Sequence, residues 1–227
     1  MKDIDRLYRY RFSESEHSAR EKIWRVLCQD FFQRYVKPND TVLDLGCGFG
    51  EFIRFINAGK KIAIDINNDA ARFLPSQVEY YPTSVMQVDS LPSDSVDVCF
   101  VSNLFEHLAT KDELDILLSR ILKVLRPGGI LIALQPNIKY CPGAYWDFYD
   151  HNIPLSHLSC AEAFAKSGYE IVEIISRFLP YTTKSAIPKH RLLVRIYLHF
   201  RPLWRLFGKQ FLIVGRKVSQ SEAPVEI

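Results

Sequence analysis

Apolar positions in this chain switch repeatedly between a two-residue and a three-to-four-residue period, the pattern of strands alternating with helices. Ala19, Ile23, Trp24, Leu27, Phe31 and Tyr35 recur at helical steps behind Ser18 and Glu21, which fit a capping box, so one helix is predicted up to Pro38. Thr41–Leu45 is an apolar, β-prone run. Glu51–Ile56 then has helical spacing, predicting a helix to Ala58 that Gly59 stops. A second strand is read at Lys61–Asp65, a short helix at Asn67–Leu74 ahead of Pro75, and a third strand at Val78–Tyr81. Ser95–Val101 is almost wholly apolar, as a strand buried on both faces should be. Thr110 and Glu113 predict a capped helix to Leu125, closed by Arg126-Pro127-Gly128-Gly129 before a fifth strand, Ile130–Leu134. Ser159 and Glu162 predict the start of a helix ending at Gly168, followed by strands at Tyr169–Ile175 and Phe211–Val214. This is βαβ grammar, and the fold class is α/β with a mostly parallel sheet.

The chemistry gathers where strands should end. Gly46, Gly48 and Gly50 alternate through the turn after the first strand, Asp44 precedes them and Cys47 lies between them. Glycines there allow positive φ and leave room for a ligand beside the first N–H groups of a helix. Asp65 follows Gly46 by 19 residues, the spacing at which a carboxylate can take hydrogen bonds from a ribose diol. A dinucleotide fingerprint would require glycine at position 51, where this chain has Glu51, which disfavours a nicotinamide-dependent oxidoreductase. Ligands in open α/β sheets bind beyond the carboxyl ends of the strands, so Asp44, Asp65 and Asn103 are expected to converge.

The segments VLDLGCGFGEF, AIDIN, LPSDSVDVCFVSNLFEHL and LKVLRPGGILI, in order over residues 40–135, resemble the small class I S-adenosylmethionine-dependent methyltransferases. PNIKYCPGAYWDFYDH and GKQFLIVGRK extend the resemblance towards bacterial methyltransferases of cell-surface polysaccharide biosynthesis. The resemblance implies a Rossmann-like, seven-stranded, mostly parallel sheet with helices on both faces and a C-terminal antiparallel hairpin. It implies S-adenosylmethionine as cofactor, held by Asp44, Gly46, Cys47, Gly48, Gly50, Asp65, Asn103 and Leu104, with Ile66 against the adenine. Ser84 stands where the family often has an acid for the adenine amino group, leaving the amide of Val85 to bond the ring. The implied acceptor is a sugar, free or carried on nucleotide, lipid or glycan; another small molecule, such as a quinone or aromatic precursor, is the alternative. A cofactor-binding protein without catalysis is a rival from another class. Asn103, Glu106 and His107 partly match a metal-binding Glu-x-x-Glu-His run of ubiquinone-biosynthesis O-methyltransferases. Asparagine replaces the first acid and removes a charge a hard cation would need, so no metal is expected.

Residues 136–158 form the longest stretch without a period and are read as a substrate loop. Its Tyr145 and Trp146 could stack on a sugar, and Asp150 adjoins His151. His151 and His107 are the two candidate general bases, His151 preferred for its place in that loop. Near the N-terminus, Arg9, Tyr10, Arg11 and Phe12 combine cations and aromatics as a lid would, with Arg11 toward the substrate.

Composition adds further constraints. With 227 residues and 48% hydrophobic content the chain fits one domain: a helical cap at 1–37, a cofactor-binding core at 38–135, the substrate loop and a basic insertion at 177–209. No apolar run nears the ~20 residues that span a bilayer, and MKDIDRLYRYRF lacks a signal peptide's apolar core, so a cytoplasmic protein is expected. Cys28, Cys47, Cys99, Cys141 and Cys160 are scattered, as buried free thiols would be. Charge is uneven: Ile174–Ser221 holds ten Lys or Arg and no acid, whereas residues 1–173 hold 19 basic and 24 acidic side chains. An acidic body, and no Asn/Asp-Pro-Pro-Tyr/Phe run after the fourth strand, argue against nucleic-acid substrates. On a helical wheel, Arg191, Arg195, His199, Arg201 and Arg205 oppose Leu192, Ile196, Tyr197, Phe200, Leu203, Trp204 and Phe207, with Pro202 dividing the insertion. The apolar half is expected to cover the core. The cations, helped by Thr182, Thr183 and Lys184, could instead meet a phosphorylated acceptor or an anionic membrane surface.

Overall fold

The computed structural model describes residues 14–181 and 190–218. The proposed lid with Arg11, the cations and hydroxyls at 182–184 with Lys184, and the tail from Ser219 lie outside the described residues. Seven strands form one sheet: β1 (Thr41–Leu45), β2 (Lys60–Ile64), β3 (Val78–Tyr81), β4 (Val96–Ser102), β5 (Leu125–Pro136), β6 (Tyr169–Ile175) and β7 (Gln210–Lys217). Their spatial order is β3-β2-β1-β4-β5-β7-β6. β1 pairs in parallel with β2 and β4, with Leu43 opposite Ile62 on one side and Cys99 on the other, while β7 runs antiparallel to both β5 and β6. This is the expected sheet, with the antiparallel pair at one edge.

Alternation along the strands sorts the core into two layers. Leu43, Leu45, Ile62, Ile64, Cys99, Val101, Leu131, Ala133, Phe211 and Ile213 face one way, onto α3 (Lys111–Val124) and α5 (His157–Lys166). Val42, Ala63, Val98, Phe100, Ile132, Leu134, Leu212 and Val214 face the other. That second layer takes α1 (Glu14–Asp30), α2 (Glu51–Phe55), α6 (Arg191–His199) and α7 (Pro202–Phe207). Its centre is aromatic: Phe52 stacks on Phe100 at 3.8 Å, and Phe32 meets Phe100 edge-on at 5.2 Å. All five cysteines are buried and free.

Several boundaries differ from the sequence reading. Ser18 lies inside α1 rather than capping it. Ser156, not Ser159, caps α5: its Oγ accepts the Ser159 N–H at 3.2 Å, and the Ser159 hydroxyl accepts the Ser156 N–H at 2.9 Å, so serine fills the role usually given to glutamate. The Arg126–Gly129 turn belongs to β5, which begins early because Leu125 pairs with Val96. Thr110 does cap α3, accepting the Glu113 N–H at 3.2 Å.

The insertion divides at Pro202 into α6 and α7, and only part of its expected apolar half packs: Tyr197, Leu203 and Trp204 meet the core. Val194, Tyr197, Leu198 and Trp204 are buried, whereas Leu192, Ile196, Phe200 and Phe207 are exposed. The Tyr197 hydroxyl donates to the Phe178 carbonyl, and Trp204 Nε1 donates to the Tyr197 carbonyl at 2.7 Å. With Leu192, Leu193, Val194, Ile196, Tyr197 and Leu198 in one short helix, apolar groups occur almost all round it. A wheel cannot say which arc turns inward; packing on α1 and Phe178 decides.

Candidate active site

The turn after β1 holds Gly46, Gly48 and Gly50 at φ of 75°, 54° and 71°. A Cβ on Gly46 would sit 3.1 Å from Leu104 Cδ1, so glycine lets the segment after β4 close over the turn, whereas a Cβ on Gly48 would meet nothing within 4 Å. Space is therefore open beside Gly48. Asp65, just past β2, borders it: Oδ2 accepts the Gly48 N–H at 2.7 Å and Oδ1 accepts the Asn67 N–H at 2.8 Å. The Ile66 N–H adds a third backbone bond, and a carboxylate with about four acceptor sites keeps capacity for a further donor. Burial raises the Asp65 pKa, partly opposed by these bonds. Asp44 lies deeper, accepting the Ile53 N–H at 3.3 Å and bracing the first turn of α2, and burial pushes its pKa well up. Cys47 is a buried thiol that desolvation holds above its ordinary range. Ile66, 43% exposed, presents an apolar surface directly after Asp65. Ser84 spends its hydroxyl on the Met86 N–H at 3.2 Å, capping the 3₁₀ turn Val85–Ser90, while Val85 is half-buried.

β1 and β4 are neighbours from which the chain winds in opposite directions, so the glycine turn and the segment after β4 flank the sheet's switch point. Asn103 adopts φ 48°, and its Oδ1 accepts the Gln210 Nε2–H at 2.6 Å. The N–H groups of Leu104 and Phe105 donate to Gln135 Oε1 at 3.0 and 3.3 Å, and Gln135 Nε2 donates to the Val101 carbonyl at 3.3 Å. Gln135 and Gln210 are buried positioning residues the sequence reading missed. Their signal was a polar residue at the end of an apolar strand run, in ILIALQP and KQFLIV.

The turn Phe105–His107 and the loop 136–158 are bound together: the N–H groups of Asn152 and Ile153 donate to the Glu106 carbonyl at 2.7 and 3.3 Å. This brings both candidate histidines to one place, ring centroids 5.0 Å apart. Asp150 pairs not with its neighbour His151 but with His107, Oδ2 to Nδ1 at 3.2 Å, its carbonyl lying 3.1 Å from the same nitrogen. Burial lowers the His107 pKa, but Asp150 and Glu106 outweigh it and leave it raised. His151 is buried, stacked on Phe148 at 4.9 Å, with Nδ1 at 3.5 Å from the Tyr181 hydroxyl. Glu106 is 3% exposed, and desolvation pushes its pKa up to about 7. Tyr145, at the end of the short helix α4 (Pro142–Tyr145), cannot stack on a substrate: it is fully buried, its hydroxyl donating to the Ile153 carbonyl, because the loop folds back over it. Trp146, 56% exposed, and Tyr149, 96% exposed, are the aromatics that face outward.

Residues 43–133 match the family model of a methyltransferase domain. A probable methyltransferase of Aspergillus luteorubrus is 25% identical, over 66% of this chain and 57% of its own. A probable S-adenosylmethionine-dependent methyltransferase of Mycolicibacterium smegmatis is 27% identical, over 70% of this chain and 64% of its own. The chain thus spans about six-tenths of the length of these relatives. Among solved structures, a SAM-dependent methyltransferase from Archaeoglobus fulgidus superposes with a TM-score of 0.65 at 19% identity, covering 87% of this chain and 94% of the other. The fold is that of class I methyltransferases.

Proposed function

We propose that the protein transfers the methyl group of S-adenosylmethionine to a hydroxyl or amine of a sugar carried on nucleotide, lipid or glycan. The open space at Gly48 beside the remaining acceptor capacity of Asp65 carries the cofactor half of this reading. The exposed Ile66 adds an apolar seat for the adenine. When bound, the cofactor supplies a methyl group on a cationic sulfur, so the chain's own task is to position an acceptor and take up its proton. Asp65 accepts hydrogen bonds from the ribose diol, and the glycine turn lets the backbone approach. Exposed Trp146 and Tyr149 beside the Glu106–His107–Asp150–His151 cluster support a sugar, whose apolar face stacks on an aromatic ring while its hydroxyls reach polar groups. Asp150 holds Nδ1 of His107 and fixes the ring within the cluster.

Calorimetry tests the cofactor assignment. S-adenosylhomocysteine should bind and NADH should not. Asp65→Ala should weaken the former by about 1.5 to 3 kcal/mol, the range for hydrogen bonds to a charged group. Tight NADH binding with none to the sulfur nucleotide would refute it.

The exposed apolar arc of α6 and α7 favours a second element of this reading, docking on an anionic membrane surface. Leu192, Ile196, Phe200, Leu206 and Phe207 are exposed among the likewise exposed Arg191, Arg201 and Arg205. No helix among the described residues is long and apolar enough to cross a membrane. Surface docking would place a lipid-linked sugar within reach.

A further inference from the structure

The cluster after β4 contains more proton acceptors than one deprotonation requires. Glu106, His107 and His151 each offer a ligand atom, and these atoms lie within 4.8 Å of one another. Glu106 Oε2 is buried and has no hydrogen-bond partner among the described residues. A buried carboxylate oxygen without a partner is costly, and convergence with two imidazoles is the arrangement in which a cation offsets that cost.

We infer that Glu106, His107 and His151 form a binding site for a divalent cation of the zinc, cobalt or manganese kind. This deepens the proposed function and rests on its placement of the acceptor at this cluster. Two nitrogens and one carboxylate oxygen suit a borderline transition metal better than magnesium or calcium, which prefer all-oxygen shells. The expectation of no metal weighed only the run 103–107, in which Asn103 replaces an acid. In the structure Asn103 is turned to Gln210, and the third donor arrives from residue 151, which no local motif can reveal.

The surroundings fit as well. Metal-bound histidines commonly give their other ring nitrogen to a carboxylate or similar acceptor, which fixes the ring. Asp150 does this for His107 at Nδ1, and the Tyr181 hydroxyl stands near Nδ1 of His151. Three protein ligands leave a fourth position open, as catalytic zinc sites do. An acceptor hydroxyl bound there would lose its proton more readily, the proton passing to solvent.

The test strips the full chain with a chelator and titrates it with Zn²⁺ by calorimetry and with Co²⁺ by visible absorption. One equivalent per chain should bind, with the d–d bands of a low-coordinate cobalt centre. Glu106→Gln and His151→Asn should each weaken Zn²⁺ binding at least tenfold, and Asp150→Asn about tenfold, each still binding S-adenosylhomocysteine as proof of folding. Wild-type protein that binds S-adenosylhomocysteine but neither metal overturns the site and leaves the methyltransferase reading intact. Unchanged Zn²⁺ affinity in both ligand variants also overturns it, placing the metal elsewhere. Cation binding without S-adenosylhomocysteine binding would instead count against the cofactor assignment alone.

Discussion

Glu106 is an acid whose surroundings disfavour its charged form. Burial lifts its pKa from 4.5 to about 7, so the folded chain holds that proton more tightly than the unfolded chain does. Its contribution to stability is therefore complete below the unfolded value and is lost as pH rises through about 7. In cation-free protein, urea unfolding from pH 5 upward should show wild type losing up to about 1.4 kcal/mol per pH unit relative to Glu106→Gln. Parallel profiles for the two proteins would mean that the carboxyl is not desolvated as described. Gly48 makes a complementary prediction. An added Cβ has room, so Gly48→Ala should cost only about 1 to 2 kcal/mol of left-handed backbone strain while filling the space assigned to the cofactor. Affinity for S-adenosylhomocysteine should fall by more than stability does; equal losses would remove Gly48 from the binding surface.

At the scale of elements, the insertion is fixed to the sheet at its two ends. Arg177 donates to the Gly208 carbonyl at 2.9 Å and to the Leu206 carbonyl at 3.1 Å, capping the C-terminus of α7 with a cation. A Cβ on Gly208 would lie 2.5 Å from the Trp204 carbonyl oxygen and 2.9 Å from the Phe178 nitrogen, both backbone atoms. Gly208→Ala should therefore cost about 2 kcal/mol or more in urea unfolding, and a loss under 0.5 kcal/mol would contradict this packing. Legibility in the sequence followed the same division. The strands from Thr41 to Leu134 could be read because each is a short apolar run closed by an acid or by turn residues. The placement of Asp65 beside Gly48 followed from strand ends meeting at the switch point. Cap positions were less legible, since Ser156 and Ser159 both suit an N-cap and only the hydrogen bonds choose between them. The partnership of Asp150 with His107 was out of reach, because a contact 43 residues apart along the chain leaves no local period. Tyr145 failed as a substrate contact for a related reason: aromatic composition cannot distinguish a buried ring from a displayed one.

At the scale of the molecule, cations and exposed apolar side chains share the surface of α6 and α7, while Arg195 is tied to Asp30 at 2.7 Å. Sedimentation with anionic vesicles should recover the protein, neutral vesicles and high salt should not, and Arg191→Glu/Arg205→Glu should abolish recovery while leaving the urea midpoint near wild type. Equal recovery of wild type and variant would leave the exposed arc without this role. The acceptor end of the account rests on Trp146, Tyr149 and the cluster at His107 and His151. His107→Ala and His151→Ala should each lower kcat by about 10² to 10⁴ with S-adenosylhomocysteine affinity nearly unchanged. Methyl transfer itself is the central claim, and incubation with methyl-labelled S-adenosylmethionine and a panel of nucleotide sugars and cell-envelope extracts tests it most directly. The account predicts label on a carbohydrate with a mass gain of about 14 daltons, lost in Asp65→Ala. Label appearing only on non-carbohydrate small molecules would contradict the sugar assignment, and no transfer to any acceptor by protein that binds S-adenosylhomocysteine would contradict the catalytic one.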